Sequence, residues 1–361
     1  MKRLRLIFLM ALTTLLSGCN LVVLNPSGDV ATQQGQLIIY ATVLMLIVVV
    51  PVILLTLFFA YRYRASNKDA TYEPDWDHSI SLEIVIWSVP LAIIICLAGL
   101  TWVATHRLNP YDDLRRISET QPIDPNVEPM TVQVVAMDWK WVFIYPEYNI
   151  ATVNEVATIV DRPVEWKLTS DTVMNSFYIP AMSGMIYAMA GMETELNAVL
   201  NEFGTYEGFS ANYSGAGFNH MRFDVHAFDE VGFADWVAEV RTAKDEFDRT
   251  AYAQLAQPSV DNPVAYYGAV EDDLWDRILN MCVREDELCQ NDMMMVDALG
   301  GGGLEGLYNR ELFRGICSAD DPWVIMALVR PDLRDRGEEI LAAADLLPPE
   351  QSSAAPRTVA N

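Results

Sequence analysis

Histidine and cysteine are scarce in this chain. Of 361 residues only 4 are His and 5 are Cys, and their positions restrict them further. His78 and His106 bracket one long apolar run and fall on opposite sides of whatever that run crosses. Only His220 and His226 can then share a compartment. Being six apart, they are read as lying on one side of a strand, where a pair of ordinary surface histidines is the expectation. The cysteines are scattered: Cys19 near the start, Cys96 inside an apolar run, and Cys282, Cys289 and Cys317 in the C-terminal part. A centre that needs several imidazoles or thiolates therefore has little to draw on. Basic residues are also in deficit, with 24 Lys and Arg against 49 Asp and Glu, a net charge of −25. Nucleic acid is excluded as a partner, because its phosphates would be repelled.

Apolar residues are abundant, at 52% of the chain, with the excess concentrated before residue 105. Met1-Lys-Arg-Leu-Arg5 followed by Leu6–Leu16 is a charged head and a short apolar run, too short to span a bilayer, and it reads as a secretory signal. It ends Leu15-Leu-Ser-Gly-Cys19, which resembles a bacterial lipobox, with cleavage before Cys19 and a diacylglycerol on its sulfur. Two longer uncharged runs follow, Leu37–Ala60 and Ile84–Thr105. At ~1.5 Å per helical residue each covers the ~30 Å hydrocarbon core. Lipidation places Cys19 outside, so the first span runs inward and the second outward. Arg62, Arg64 and Lys68 then fall in a cytoplasmic hairpin, as positive-inside asymmetry requires. Trp87 and Trp102 read as interfacial anchors of the second span.

Beyond a Pro- and Asp-rich linker the pattern changes. Thr131–Met137, Pro163–Thr169 and Met221–Ala227 alternate as strands do. Many short strands punctuated by Gly and Pro predict an all-β sandwich or barrel. Phe233–Phe247 reads as an amphipathic helix closing that domain. The expected organisation is a signal peptide (1–18), an outer segment (19–36), a first membrane helix (37–61), a hairpin loop (62–82), a second membrane helix (83–106), a linker (107–129), the β domain (130–240), an arm (241–280) and an acidic tail (281–361), disordered at 351–361. If Cys282–Cys289 were helical, seven residues would separate the pair by ~10.5 Å, beyond disulfide reach. A bond from either to Cys317 is therefore the expectation. Met293–Met295 nearby raise a soft-metal reading that ranks well below it.

Several motifs carry a family resemblance. Tyr206–Met221 resembles the copper loop of subunit II of haem-copper oxidases, Cys-x3-Cys-x3-His-x2-Met, but the corresponding positions are Ser210, Ser214, Phe218 and Met221. A further His of cytochrome c oxidases is matched by Asn175, and a Glu that helps bind magnesium by Asn212. A mixed-valence copper pair requires thiolate and imidazole donors. Hydroxyls, amides and a phenyl ring do not supply them, and a neutral amide is a poor ligand for a hard dication. With Tyr63-Arg-Ala-Ser-Asn-Lys-Asp69, Glu83-x3-Trp87-x2-Pro90 and Met137-Asp-Trp-Lys-Trp141, the chain is similar to the copper-less, bo-type ubiquinol oxidase branch of that family.

The resemblance implies a two-helix membrane hairpin, a Greek-key cupredoxin-like domain and an aromatic-rich arm over Ala251–Leu279. It implies a four-subunit complex that oxidises ubiquinol, reduces oxygen to water and pumps protons. Haems and one copper are expected in subunit I, with none bound by this chain, and subunits I, III and IV as partners in the membrane. Cytochrome c is not an expected partner. Glu83 is expected at the proton-uptake entrance. Trp139, which in copper-containing relatives relays electrons, is expected to pack with Trp141 and Phe143 against subunit I. A copper-bearing cytochrome c oxidase subunit II fails on its ligands. A stand-alone periplasmic lipoprotein would not need two further membrane spans.

Overall fold

A computed structural model describes residues 21–294 apart from positions 72, 74, 125, 126, 285–288 and 292. The signal peptide, Cys19, Cys317 and the acidic tail beyond 294 lie outside the described residues.

Two helices are long and apolar enough to cross a membrane, α1 (Asp29–Arg62) and α2 (Ile80–Arg107). α1 begins eight residues before the expected span. Asp29 sits in its first turn, where the helix dipole favours an anion, and its carboxylate is held by Arg116 through Nε at 2.8 Å and Nη2 at 3.0 Å. The preceding segment docks on the β domain: the Ser27 and Gly28 amides donate to Ala181 O, and the Asn201 amide donates to Ser27 O. Gly28 lies so close that a Cβ there would stand 2.5 Å from Val199 O. The first membrane helix therefore grows out of the folded domain. Within the linker, Arg116–Ser118 and Gln121–Pro122 pair as a short antiparallel ladder.

The domain is a sandwich of two sheets. Its strands are β1 (Met130–Met137), β2 (Lys140–Tyr145), β3 (Ile150–Val153), β4 (Glu155–Ile159), β5 (Val164–Ser170), β6 (Asn175–Tyr178), β7 (Ile186–Ala188), β8 (Thr194–Ala198), β9 (Gly204–Ser210), β10 (Arg222–Phe228) and β11 (Ala265–Tyr267). One sheet runs β8-β5-β1-β2-β3-β11 and the other β4-β10-β9-β6-β7. The pairs β1/β5 and β4/β10 are parallel. The chain thus crosses between sheets at β3–β4, β4–β5, β5–β6, β7–β8, β8–β9 and β10–β11.

The core follows from the two-residue period of strands. Trp141, Phe143 and Tyr145 of β2 point between the sheets, where they meet Trp166, Phe177 and Phe223. Their alternates Val142 and Ile144 point outward into a second apolar cluster with Phe247, Tyr252, Leu274 and Ile278. All six residues of β2 are therefore buried, because the arm after the sandwich covers the outer face.

Four expectations need correction. The closing helix α3 spans Glu230–Val240, started by Asp229, whose side chain accepts from the Gly232 amide. Phe247 belongs to a short strand instead. His220 sits in a 3-10 turn, Phe218–His220, and pairs with Asp261 at 2.6 Å, whereas His226 lies in β10 against Thr205 and Glu155. The two histidines therefore do not share a strand. Cys282 and Cys289 are bonded to each other, with Cα atoms 4.7 Å apart. The helix α5 (Leu274–Leu279) ends before Cys282, and Met281 takes a positive φ of 56°, so helical spacing does not apply. Trp141 is fully buried inside the sandwich and has no face to offer subunit I.

Candidate functional site

β6 and β9 bring the candidate loop together. Asn175 opens β6 and is buried; its amide nitrogen donates to Val173 O at 3.0 Å. Ser210 closes β9, and its hydroxyl donates to Asn175 Oδ1 at 3.1 Å. Asn212 donates from its side chain to Met174 O at 3.2 Å, and the Ala211 amide reaches Ser176 O at 2.9 Å. The amide and hydroxyl thus satisfy each other and the backbone where a metal's donors would converge. This matters because an unpaired buried polar group costs ~1–3 kcal/mol. Ser214 Oγ is the exception, buried without a hydrogen-bond partner among the described residues.

Trp139 closes the other side of the loop. It follows β1 at a positive φ of 65°, and its indole nitrogen donates to Ser214 O at 3.1 Å. Gly217 presses on the ring: a Cβ there would stand 2.3 Å from Trp139 Cδ2. Phe218 packs edge-on against Tyr213 at 5.7 Å between ring centroids. Met221 is 1% exposed and belongs to the core between the sheets. The structure therefore brings Asn175, Ser210 and Asn212 together, seats Ser214 beneath Trp139, and leaves Phe218 and Met221 as packing residues. The donor set does not fit a copper pair, since its one thioether is committed to the core and the remaining atoms are amides, hydroxyls and carbonyls.

Glu83 lies far from this loop, in the first turn of α2. His78 Nδ1 stands 2.8 Å from its Oε1, with both side chains about half exposed. Sequence reasoning placed His78 in the connecting loop without a partner. The available signal was its position just ahead of the helix start at Ser79.

Lys140 was missed altogether. It shares the outward face of β2 with Val142 and Ile144 and is fully buried. Its ammonium donates to Leu255 O at 2.6 Å and Gln257 O at 2.8 Å, carbonyls at the C-terminal end of helix α4 (Arg249–Leu255). Burial pushes its pKa below the ordinary lysine range, against the pull of Asp138 and Asp171. From the same helix Tyr252 donates to Asp171 at 2.6 Å. Glu155 performs a similar service on the other side: its Oε1 accepts from Trp236 of α3 at 2.9 Å and from Tyr266 of the arm at 2.6 Å. Burial first, and then this carboxylate, raise the Tyr266 phenol well above its usual range.

Two long apolar helices carrying a two-sheet sandwich with an aromatic-rich arm define a subunit II of the haem-copper oxidase class. The COX Aromatic Rich Motif matches residues 241–286, the segment that Lys140 and Glu155 hold. The chain is 49% identical over 266 residues to cytochrome bo(3) ubiquinol oxidase subunit 2 of Pseudomonas putida, covering 74% of this chain and 82% of that protein. It is 50% identical over 265 residues to the Pseudomonas aeruginosa protein of the same name (73% and 77%), and 48% identical over 265 residues to ubiquinol oxidase subunit 2 of Acetobacter aceti (73% and 84%). The chain belongs to the cytochrome bo(3) ubiquinol oxidase subunit 2 family.

Proposed function

We propose that this chain serves a proton-translocating terminal oxidase as a structural and proton-uptake subunit, while ubiquinol is oxidised and oxygen reduced to water in subunit I. One observation carries the reading: Asn175, Ser210 and Asn212 are tied to each other and to the backbone at 3.0–3.3 Å, in the place of soft metal donors. Electrons have no station here, so they enter from the membrane and not from a periplasmic cytochrome c. Subunits I, III and IV cover the membrane helices, whose apolar side chains are widely exposed in the isolated chain. Cys19 carries the lipid anchor, and the sandwich stands on the periplasmic side. Trp139, half-buried beside the loop, is the aromatic that faces subunit I.

At the opposite membrane face Glu83 collects protons for the oxygen site, with His78 as its neighbour. A carboxylate that gives and takes protons needs a partner within hydrogen-bond reach, and 2.8 Å provides one. Copper analysis and electron paramagnetic resonance of the purified complex test the main reading. Copper at the level of the single subunit I centre, with no mixed-valence pair signal, is the expected result. A pair signal that this chain must house would overturn it.

A further inference from the structure

Where α1 and α2 meet the sandwich, the structure forms a half-open cavity of about 450 Å³, its charged wall exposed, that the oxidase reading leaves unused. The Asp29–Arg116 pair forms one side of it, and this pair is closed on itself: the guanidinium bonds both carboxylate oxygens. What remains is Arg107 and Arg115 of one sign and Asp112 and Asp113 of the other. Asp112 accepts from Asn109 at 3.0 Å. The side chains of Arg107, Arg115 and Asp113 make no hydrogen bond or ion pair among the described residues. Val30, Leu108 and Leu114 supply apolar wall between the charges.

The cavity's depth is set by the helices. Arg107 is the last residue of α2, five residues beyond Trp102, whose exposed ring packs at a tilt against His106 with centroids 4.5 Å apart. Aromatic side chains of this kind settle at the headgroup level, so Arg107 lies ~7.5 Å further along the helix axis. On α1, Gln33 and Gln34 line the same cavity one turn before the apolar run begins at Leu37. A ligand bound here has its polar part among headgroups and its apolar part beside the helices.

We infer that this cavity binds the headgroup of a zwitterionic phospholipid of the phosphatidylethanolamine class, with phosphate on Arg107 and Arg115 and ammonium on Asp112 and Asp113. Two unpaired cations beside two acids match a group that carries both signs within a few ångströms. A purely anionic headgroup would satisfy the arginines and meet repulsion from the acids. The guanidinium is suited to phosphate because it donates two parallel hydrogen bonds.

Native mass spectrometry of the purified, delipidated oxidase complex, titrated separately with phosphatidylethanolamine and phosphatidylglycerol, tests this. The wild-type complex should retain phosphatidylethanolamine in preference to phosphatidylglycerol. Arg107→Gln with Arg115→Gln should remove one retained molecule, weakening that site roughly tenfold or more by loss of charge-assisted hydrogen bonds. Asp112→Asn with Asp113→Asn should abolish the preference while leaving binding. Haem content and subunit stoichiometry establish that each variant is assembled. The single Arg115→Gln change, on an exposed loop, provides a second test if the double variant does not assemble. Unchanged retention in the arginine variants overturns the site. Equal retention of both lipids by the wild type overturns the zwitterionic assignment.

Discussion

Replacing Lys140 by Met removes the ammonium that holds the arm while keeping an unbranched apolar stem in the same slot. Two interactions disappear, to Leu255 O at 2.6 Å and Gln257 O at 2.8 Å. Two carbonyls left without that donor cost ~1–3 kcal/mol each. Relief of the ammonium's own desolvation offsets part of this, leaving a net loss of about 2–4 kcal/mol. The effect should be local first, because Lys140 touches the arm and not the space between the sheets. Amides of α4 should then open roughly 30- to 1,000-fold more often, since 1.4 kcal/mol is a factor of ten. Hydrogen exchange on the intact complex reads this directly, over Tyr252 to Ala256. Lys140→Ala should be worse by about 2 kcal/mol, having lost three further methylenes from a buried site. Unchanged protection of α4 in Lys140→Met would refute the assignment of Lys140 as the arm's anchor.

Gly217→Ala would drive a methyl into the Trp139 ring, and overpacking of this kind costs about 1–3 kcal/mol; a shift in tryptophan fluorescence with unchanged oxygen uptake is expected. Tyr145 is held far above its usual pKa of 10.0 by burial, while its hydroxyl both donates to Ala157 O and accepts from the Ala157 amide. Its folded pKa is raised, so the stability it contributes is full below pH ~10 and declines above that by ~1.4 kcal/mol per pH unit. Tyr145→Phe should cost about 1–3 kcal/mol at neutral pH and flatten the decline between pH 10 and 11, as read by thermal unfolding at each pH. Glu83→Gln should slow oxygen reduction roughly tenfold or more, on the scale of lost acid–base function, with assembly and haem content kept. Unchanged turnover would remove Glu83 from proton uptake.

The features legible in the sequence are those that repeat or keep their spacing. Uncharged runs give the two membrane helices, alternation gives β1, β5 and β10, and the spacing of Ser210, Ser214, Phe218 and Met221 carries the family resemblance. These signals are local. Lys140 was illegible because its burial depends on an arm more than a hundred residues away covering the outer face of β2. The Cys282–Cys289 bond was misjudged because it depends on where α5 stops, and Met281 at positive φ turns the chain back. His220 was assigned to a strand because the 3-10 turn Phe218–His220 interrupts the approach to β10 without a Gly or Pro at its end. Asn175 is read from the sequence as a lost ligand. Its hydrogen bond to Ser210 became visible only when β6 and β9 were paired.

Oxygen uptake by the purified complex, with ubiquinol and then reduced cytochrome c as electron donor, tests the central claim most directly. Rapid uptake with ubiquinol and none with cytochrome c is the predicted result, because no metal donor set remains between Asn175 and Met221. Sustained uptake with cytochrome c would contradict it, for electrons would then be entering through the subunit whose hydrogen-bonded loop leaves them no station.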